Sequence, residues 1–392
     1  MSQTNSTPAS KSLSFWEKNL LGVPLSEVPG LIPGVIFAVL LAWLSKWLSE
    51  FIGVNLLGFN KSPVSPVMIA LLLGLVLGAI LTIPKAFTPG FRFAVKKLLR
   101  LGIILLGIRL TIFDVFRLGI IGIPIVVICI LGALLITTTI NKRLNLPERL
   151  GTLIAVGTSI CGVSAILATG AAIDAEEKET AYAVAVITIF GLLATIFYPY
   201  LANELFAGNA VSVGLFLGTS VHDTSQVVGS ASVYADVFGQ PLALDVATVT
   251  KLVRNVFMAL VIPFMAYYYG RKRNEQSPSA DKKTNILKFL PLFILGFLAL
   301  AVFRSLGDAG INLTGYAYGL WNAESWGSLI STVKSWASNF LIIALAGVGL
   351  STNFKLFKGM GIKPFIVGLS AALAVGVISF IAISLLGRYV TF

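Results

Sequence analysis

Two short stretches hold most of the side chains that could do chemistry: GTSICGVSAI, from Gly157 to Ile166, and GTSVHDTSQV, from Gly218 to Val227. Both open Gly-Thr-Ser, and both place a second serine five residues after the first, at Ser164 and Ser225. The first offers Thr158, Ser159, Cys161, Gly162 and Ser164. The second offers Thr219, Ser220, Thr224, Ser225 and Gln226, with His222, the chain's only histidine, beside Asp223. Further on, Lys251 and Arg254 are three residues apart and so share one helical face, with Asn255 next to them. Hydroxyls, loosened backbone and two cations suit the holding of a small anion. A His-Asp pair suits the exchange of a proton or sodium ion.

Catalysis is a weaker fit. There is no phosphate-binding loop, no Gly-rich dinucleotide turn and no cluster of metal ligands. Cys161 with His222 lacks the third partner of a nucleophilic site. Cys129 and Cys161 both lie in apolar runs, and no disulfide is indicated. The expectation is a protein that is not an enzyme and has no cofactor and no metal.

These clusters sit in unusual surroundings. Of 392 residues, 56% are hydrophobic and 12% charged, where a soluble chain carries about 25% charge. The lipid bilayer is the expected solvent. The net charge of +12 sits in short loops between apolar runs, the placement of membrane-protein loops and not of a nucleic-acid surface. About eleven apolar segments approach the roughly 20 residues needed to cross hydrocarbon. They run approximately 31–51, 64–84, 93–112, 118–140, 151–172, 181–203, 209–228, 243–270, 286–304, 335–352 and 364–388. Strand-like alternation is absent, so the fold class is an all-α polytopic membrane protein. Residues 1–30 read as a cytoplasmic tail without a cleavage signal, and 31–392 as a single transmembrane domain.

The loop charges then set the topology. Lys85, Arg92, Lys96 and Lys97 fall between segments 2 and 3, Lys142, Arg143 and Arg149 between 4 and 5, RKRNEQSPSADKK (271–283) between 8 and 9, and Lys355, Lys358 and Lys363 between 10 and 11. If every segment crosses, these loops share one side, and the acidic loop DAEEKE (174–179) and the long loop 305–334 lie on the other. The positive-inside rule makes the N-terminus cytoplasmic and the C-terminus external. A re-entrant segment 7 would break this parity.

Each polar cluster also has a plainer reading. Small residues in segment 5 allow close helix packing. His222 and Asp223 could lie in external water if segment 7 ends early, and Lys251 and Arg254 could snorkel outward. Against this, ionisable groups at membrane depth cost on the order of 3 kcal/mol each by insertion scales, and two Gly-Thr-Ser clusters suit two broken helices lining a midplane site. A second internal likeness, LGIILLGIRLTIFDVFRLG (101–119) with IIALAGVGLSTNFKLFKG (342–359), joins segments of opposite direction. It suggests inverted five-helix repeats, about 64–203 and 209–388, with discontinuous helices.

GTSICGVSAILATGAAI (157–173), FGLLATIFYP (190–199), GTSVHDTSQVVGSA (218–231) and TVTKLVRNVFMALVIP (248–263) resemble the YeiH family of bacterial inner-membrane proteins, described as sulfate exporters. The likeness covers most of the chain; where family members often have glutamate after the histidine, this chain has Asp223. That family is in turn similar to sodium/proton antiporters and bile-acid symporters. The resemblance implies two discontinuous helices meeting at mid-membrane and a core that moves against a scaffold.

The reading from sequence is a secondary transporter of a small sulfate-like anion by alternating access. Thr158, Ser159, Cys161, Gly162, Ser164, Thr219, Ser220, His222, Thr224, Ser225, Gln226, Lys251 and Arg254 are its expected substrate residues, with His222 and Asp223 coupling to a proton or sodium. A monovalent cation/proton antiporter built on Asp223, and a non-transporting membrane scaffold or sensor, are the alternatives. Homo-oligomerisation is left open.

Overall fold

The computed structural model describes residues 17, 21–56, 62, 64–272, 292–352 and 361–387. Most of the N-terminal tail, nearly all of 271–283, and Lys355 and Lys358 lie outside the described residues, as does the end of the 342–359 phrase. The described chain is helical apart from one small hairpin, in which Tyr316–Ala317 pairs antiparallel with Trp321–Asn322. Among the described residues, seven helical stretches, from Leu25–Leu56 to Ile362–Leu386, are long and apolar enough to cross a bilayer. The protein is an all-α polytopic membrane protein.

Local chemistry sets the helix starts. Ser65 accepts from Val67 N and precedes Pro66 to open α2 (Pro66–Ile80). Thr111 and Asp114 form a capping box at the head of α5 (Ile112–Arg143). Asn322 caps α14 (Ala323–Ser351) through Ser325 N.

Segments 5 and 7 are interrupted where their glycines and hydroxyls concentrate. Segment 5 is α6 (Glu148–Ser159) and α7 (Val163–Ala172). Segment 7 is α9 (Ala210–Ser220) and α10 (Thr224–Phe238), and so runs well past residue 228. Both fold back. Gly157 sits against Ile166, and Gly170 against Leu153, so α7 is antiparallel to α6. Gly214 sits against Ala243 and Val246, and Gly218 against Ala247 and Thr250, so α9 runs parallel to α11 (Pro241–Val256). α10 must therefore return to the face where α11 begins. Its Tyr234 hydroxyl donates to Asn203 Oδ1 (3.2 Å), near the end of α8 (Glu177–Leu205), which delivers the chain to α9.

The two hairpins enter from opposite faces. α6 and α7 start and finish on the face of Lys142, Arg143 and Arg149, called the basic face below; α9 and α10 enter from the far face. The acidic stretch 174–179 thus lies on the basic face, not across from it as the loop alternation implied. The alternation assumed that every segment crosses, and carboxylates weigh little in the positive-inside rule. Two hairpins leave the relation of the chain ends unchanged. Gly22 lies by Lys97 on the basic face, and Gly387 by Ser212 on the far face.

A shift of 61 residues, Gly157 to Gly218, lays α6 on α9, α7 on α10, and α8 on α11 with α12 (Met258–Lys272). The inverted unit is a re-entrant hairpin plus the helix after it. It is shorter than 64–203 with 209–388, where the hairpin would come fourth in one half and first in the other. α1 (Ile32–Glu50), α2, α3 (Thr88–Phe93), α4 (Leu99–Leu106), α13 (Leu292–Thr314) and α14 pack into a panel. α5, the hairpins, α8, α11, α12 and α15 (Ile362–Leu386) form a second body. α10 meets α2 and α14 across the boundary, and α13 meets α5.

Single cysteines at Lys142 and Glu177, in a background lacking Cys129 and Cys161, are expected to react with an impermeant maleimide from one side of the membrane. A cysteine at Leu320 is expected to react from the other. Labelling of positions 142 and 177 from opposite sides would refute the first hairpin.

Candidate functional site

A helix that stops inside the membrane leaves its last carbonyls without partners or water, at several kcal/mol each. Here α6 and α9 both stop, and their C-terminal ends converge. α11, parallel to α9, carries two fully buried cations to that point. Lys251 Nζ donates to Ile160 O (2.7 Å), His222 O (2.5 Å) and Val221 O (3.2 Å). Arg254 donates from Nε to Ser159 O (2.6 Å), from Nη1 to Thr219 O (2.8 Å) and Val221 O (3.1 Å), and from Nη2 to Thr158 O. Each cation thus bonds both tips. Positive charge also matches the negative ends of two helix dipoles.

The second arm of each hairpin begins at the same depth. Gly162 is the N-cap residue of α7, with φ 67° and ψ −125°, a conformation open in practice to glycine alone, and no side chain caps α7. Its counterpart under the 61-residue shift is Asp223, the N-cap residue of α10. Asp223 Oδ1 accepts from Ser225 N (2.9 Å) and Ser225 Oγ (2.7 Å), while Asp223 N donates to Gln226 Oε1 (3.0 Å). Gln226 Nε2 donates to Thr188 O (3.3 Å), and its carboxamide lies on Gly191, tying α10 to α8.

These two N-termini line a cavity of about 560 Å³ between the hairpins and the panel. Cys161, Val163 and Ser164 come from the first hairpin; Asp223, Thr224, Ser225 and Gln226 come from the second. The panel contributes Arg92, Lys96 and Arg100, each exposed, at four-residue spacing along one helical face, with Val348 and Ser351 of α14 and Thr352 just after it. Arg100 also lies over the Phe293 ring at 5.8 Å. Among the described lining residues, Asp223 is the one carboxylate.

The sequence candidates divide accordingly. Cys161, Ser164, Asp223, Thr224, Ser225 and Gln226 line the cavity. Thr158, Ser159, Thr219, Ser220 and His222 do not: they form the tips behind it and are buried, while Gly162 makes the turn. His222 Nδ1 donates to Ser220 O (3.1 Å). Lys251 and Arg254 neither snorkel nor reach the cavity, because the tip carbonyls engage them. Asn255 Nδ2 donates to Thr224 Oγ1 (3.2 Å). Sequence reasoning treated Arg92 and Lys96 as loop charges only and passed over Arg100; the spacing 92, 96, 100 was the available signal.

Paired re-entrant hairpins with buried cationic caps, inside a polytopic helical membrane protein, define the class. Residues 33–368 match the family described as conserved hypothetical protein 698. A UPF0324 membrane protein of Bacillus anthracis is 31% identical over 320 residues, covering 82% of this chain and 86% of its own. Another, from Streptococcus agalactiae serotype V, is 30% identical over 335 residues, covering 85% and 94%. The chain belongs to this UPF0324 membrane-protein family, the YeiH-like group to which the sequence motifs point.

Truncating either cap is expected to destabilise the protein without touching the cavity. Each buried carbonyl left unpaired costs about 1–3 kcal/mol. Arg254→Leu and Lys251→Met should therefore lower the Tm of detergent-solubilised protein well beyond Arg92→Gln. Equal Tm values for all three would refute the capping role.

Proposed function

We propose that the protein is a secondary transporter of a small oxyanion, sulfate-like in charge and size. It would reside in a bacterial inner membrane with the basic face, and the N-terminus, in the cytoplasm. One observation carries the reading: a cavity at hairpin depth is lined by two half-helix N-termini and flanked by Arg92, Lys96 and Arg100. Helix N-termini present free amides and partial positive charge to anions. The two ends differ in what already occupies them. The Asp223 carboxylate caps α10 and lies beside Gly162, whereas the head of α7 has no side-chain hydrogen-bond cap. In this reading the anion takes at α7 the place that Asp223 takes at α10, against the first-turn amides and Ser164 Oγ.

The cavity has room for such an ion with its water, since about 30 Å³ per water fills it with on the order of twenty molecules. The exposed cations act mainly as an electrostatic funnel that concentrates anions at the mouth. Asp223 opposes a bound anion while ionised, so a proton on Asp223 would accompany binding and couple the two. A second reading, monovalent cation/proton antiport, draws support from Asp223 being in the cavity while Lys251 and Arg254 are committed to backbone.

Flux in proteoliposomes separates the readings. Under the anion reading, sulfate or a related oxyanion is taken up. Arg92, Lys96 and Arg100 all changed to Gln should slow uptake severalfold at low salt and less at high salt, as screening predicts. Ser164→Ala should weaken affinity by a factor of about 5, the worth of one hydrogen bond. Under the cation reading no oxyanion moves, and Asp223→Asn abolishes sodium- or potassium-dependent proton flux.

A further inference from the structure

A second cavity, about 360 Å³, lies on the far face. It too is formed between the panel and the hairpin body, and the same three helices reach both cavities. On α10, Ser225 lines the first, while Ser232 and Asp236 line the second. On α14, Val348 lines the first and Leu341 the second; on α4, Ile103 lines the first and Leu106 the second. Seven helical residues from Ser225 to Ser232 span about 10 Å. In that interval Leu345 of α14 is fully buried and lies directly on Gly229 of α10. Ser225, Gly229, Ser232 and Asp236 fall on one face of α10.

The far face is also where panel and hairpin body are joined by charge. Arg109, just after α4 on the panel, pairs with Asp245 on α11 through Nε to Oδ1 and Nη2 to Oδ2 (3.3 Å), and donates to Pro241 O (3.2 Å). Ser65 Oγ of the panel donates to Asp236 Oδ2 (2.8 Å) on α10. The Arg109–Asp245 pair is mostly buried, with side-chain exposures of 17% and 10%. On the basic face the corresponding boundary holds the first cavity.

We propose that the two cavities are the two mouths of one route along α10, that Leu345 on Gly229 is the plug between them, and that Arg109–Asp245 is the latch that keeps panel and hairpin body together at the far mouth, so that this mouth does not reach past the plug. The proposal rests on the alternating-access part of the transport reading and not on the choice of ion. The hairpin body must part from the panel on the far face for the route to open there, and the latch is the bidentate contact that resists it.

The experiment follows the reach of an impermeant maleimide. Ser164→Cys, in a background with Cys129→Ser and Cys161→Ser, places a thiol in the first cavity. In sealed vesicles of known orientation it should react from the basic face and only slowly from the far face. Asp245→Asn or Arg109→Gln should raise the far-face rate about tenfold or more, the population shift expected from losing a charge-assisted pair. The charge swap Arg109→Asp with Asp245→Arg should bring the far-face rate back toward the parent. The latch is overturned if the single variants, eluting as the parent does, keep the parent rate, or if the swap restores nothing. Sulfate flux in parallel vesicles, with Ser164 and Cys161 intact and carrying the same Arg109 or Asp245 change, separates the two claims. Altered far-face reach with no oxyanion flux leaves the latch and removes the anion; flux with unaltered reach does the reverse.

Discussion

Everything at the centre of this protein depends on finding partners for the carbonyls of two helices that end inside the membrane. Water is not available to tip carbonyls that lie behind the cavity, and each half-helix has an orphaned C-terminal turn. Placing the ends of α6 and α9 close together makes the difficulty local, and two side chains of one neighbouring helix resolve it. Lys251 and Arg254 each reach both tips, so neither hairpin has a complete set of partners by itself. The burial cost of two cations is offset by hydrogen bonds that use their donors and by the dipoles they face. The hairpins are consequently one unit, and Gln226 on Gly191 extends that unit to α8.

The same geometry determines what is left over. With the C-terminal halves of the dipoles neutralised behind the tips, the N-terminal halves of α7 and α10 face the cavity. One is capped by Asp223; the other begins at Gly162 with no side-chain cap of its own, and the Asp223 side chain packs against that glycine. An inverted repeat that were chemically symmetric would give two equal anion sites or two carboxylates. This chain breaks the symmetry at several paired positions, among them Gly162 with Asp223, Val163 with Thr224 and Ala165 with Gln226, and the first of these sets a carboxylate next to an uncapped helix start.

Much of this was legible in the sequence. Apolar segment length gave the helices, and the paired Gly-Thr-Ser clusters marked both interruptions. What the sequence hid was direction. A broken helix that continues and one that turns back have the same hydropathy, and the difference lies in contacts such as Gly170 on Leu153 and Gly214 on Val246. That is why the stretch 174–179 fell on the unexpected face. The roles of Lys251 and Arg254 were hidden for a related reason. A cation at membrane depth announces a negative partner, but sequence cannot tell a ligand from a backbone carbonyl. Arg100 was missed because a single cation within an apolar run draws no notice until its neighbours at 92 and 96 are seen to share its face.

The sequence distance between tip and cap bears on how the chain is made. Ile160 precedes Lys251 by 91 residues. At synthesis rates of about 5–20 residues per second, the first hairpin exists for roughly 5–20 seconds before its cap is made. During that interval its tip carbonyls cannot rest in lipid at their final depth. Seating of the hairpin at that depth is completed only when α11 supplies Lys251 and Arg254. Assembly order is thus written into the spacing, with the last helix of the inverted pair acting as the part that seats both hairpins.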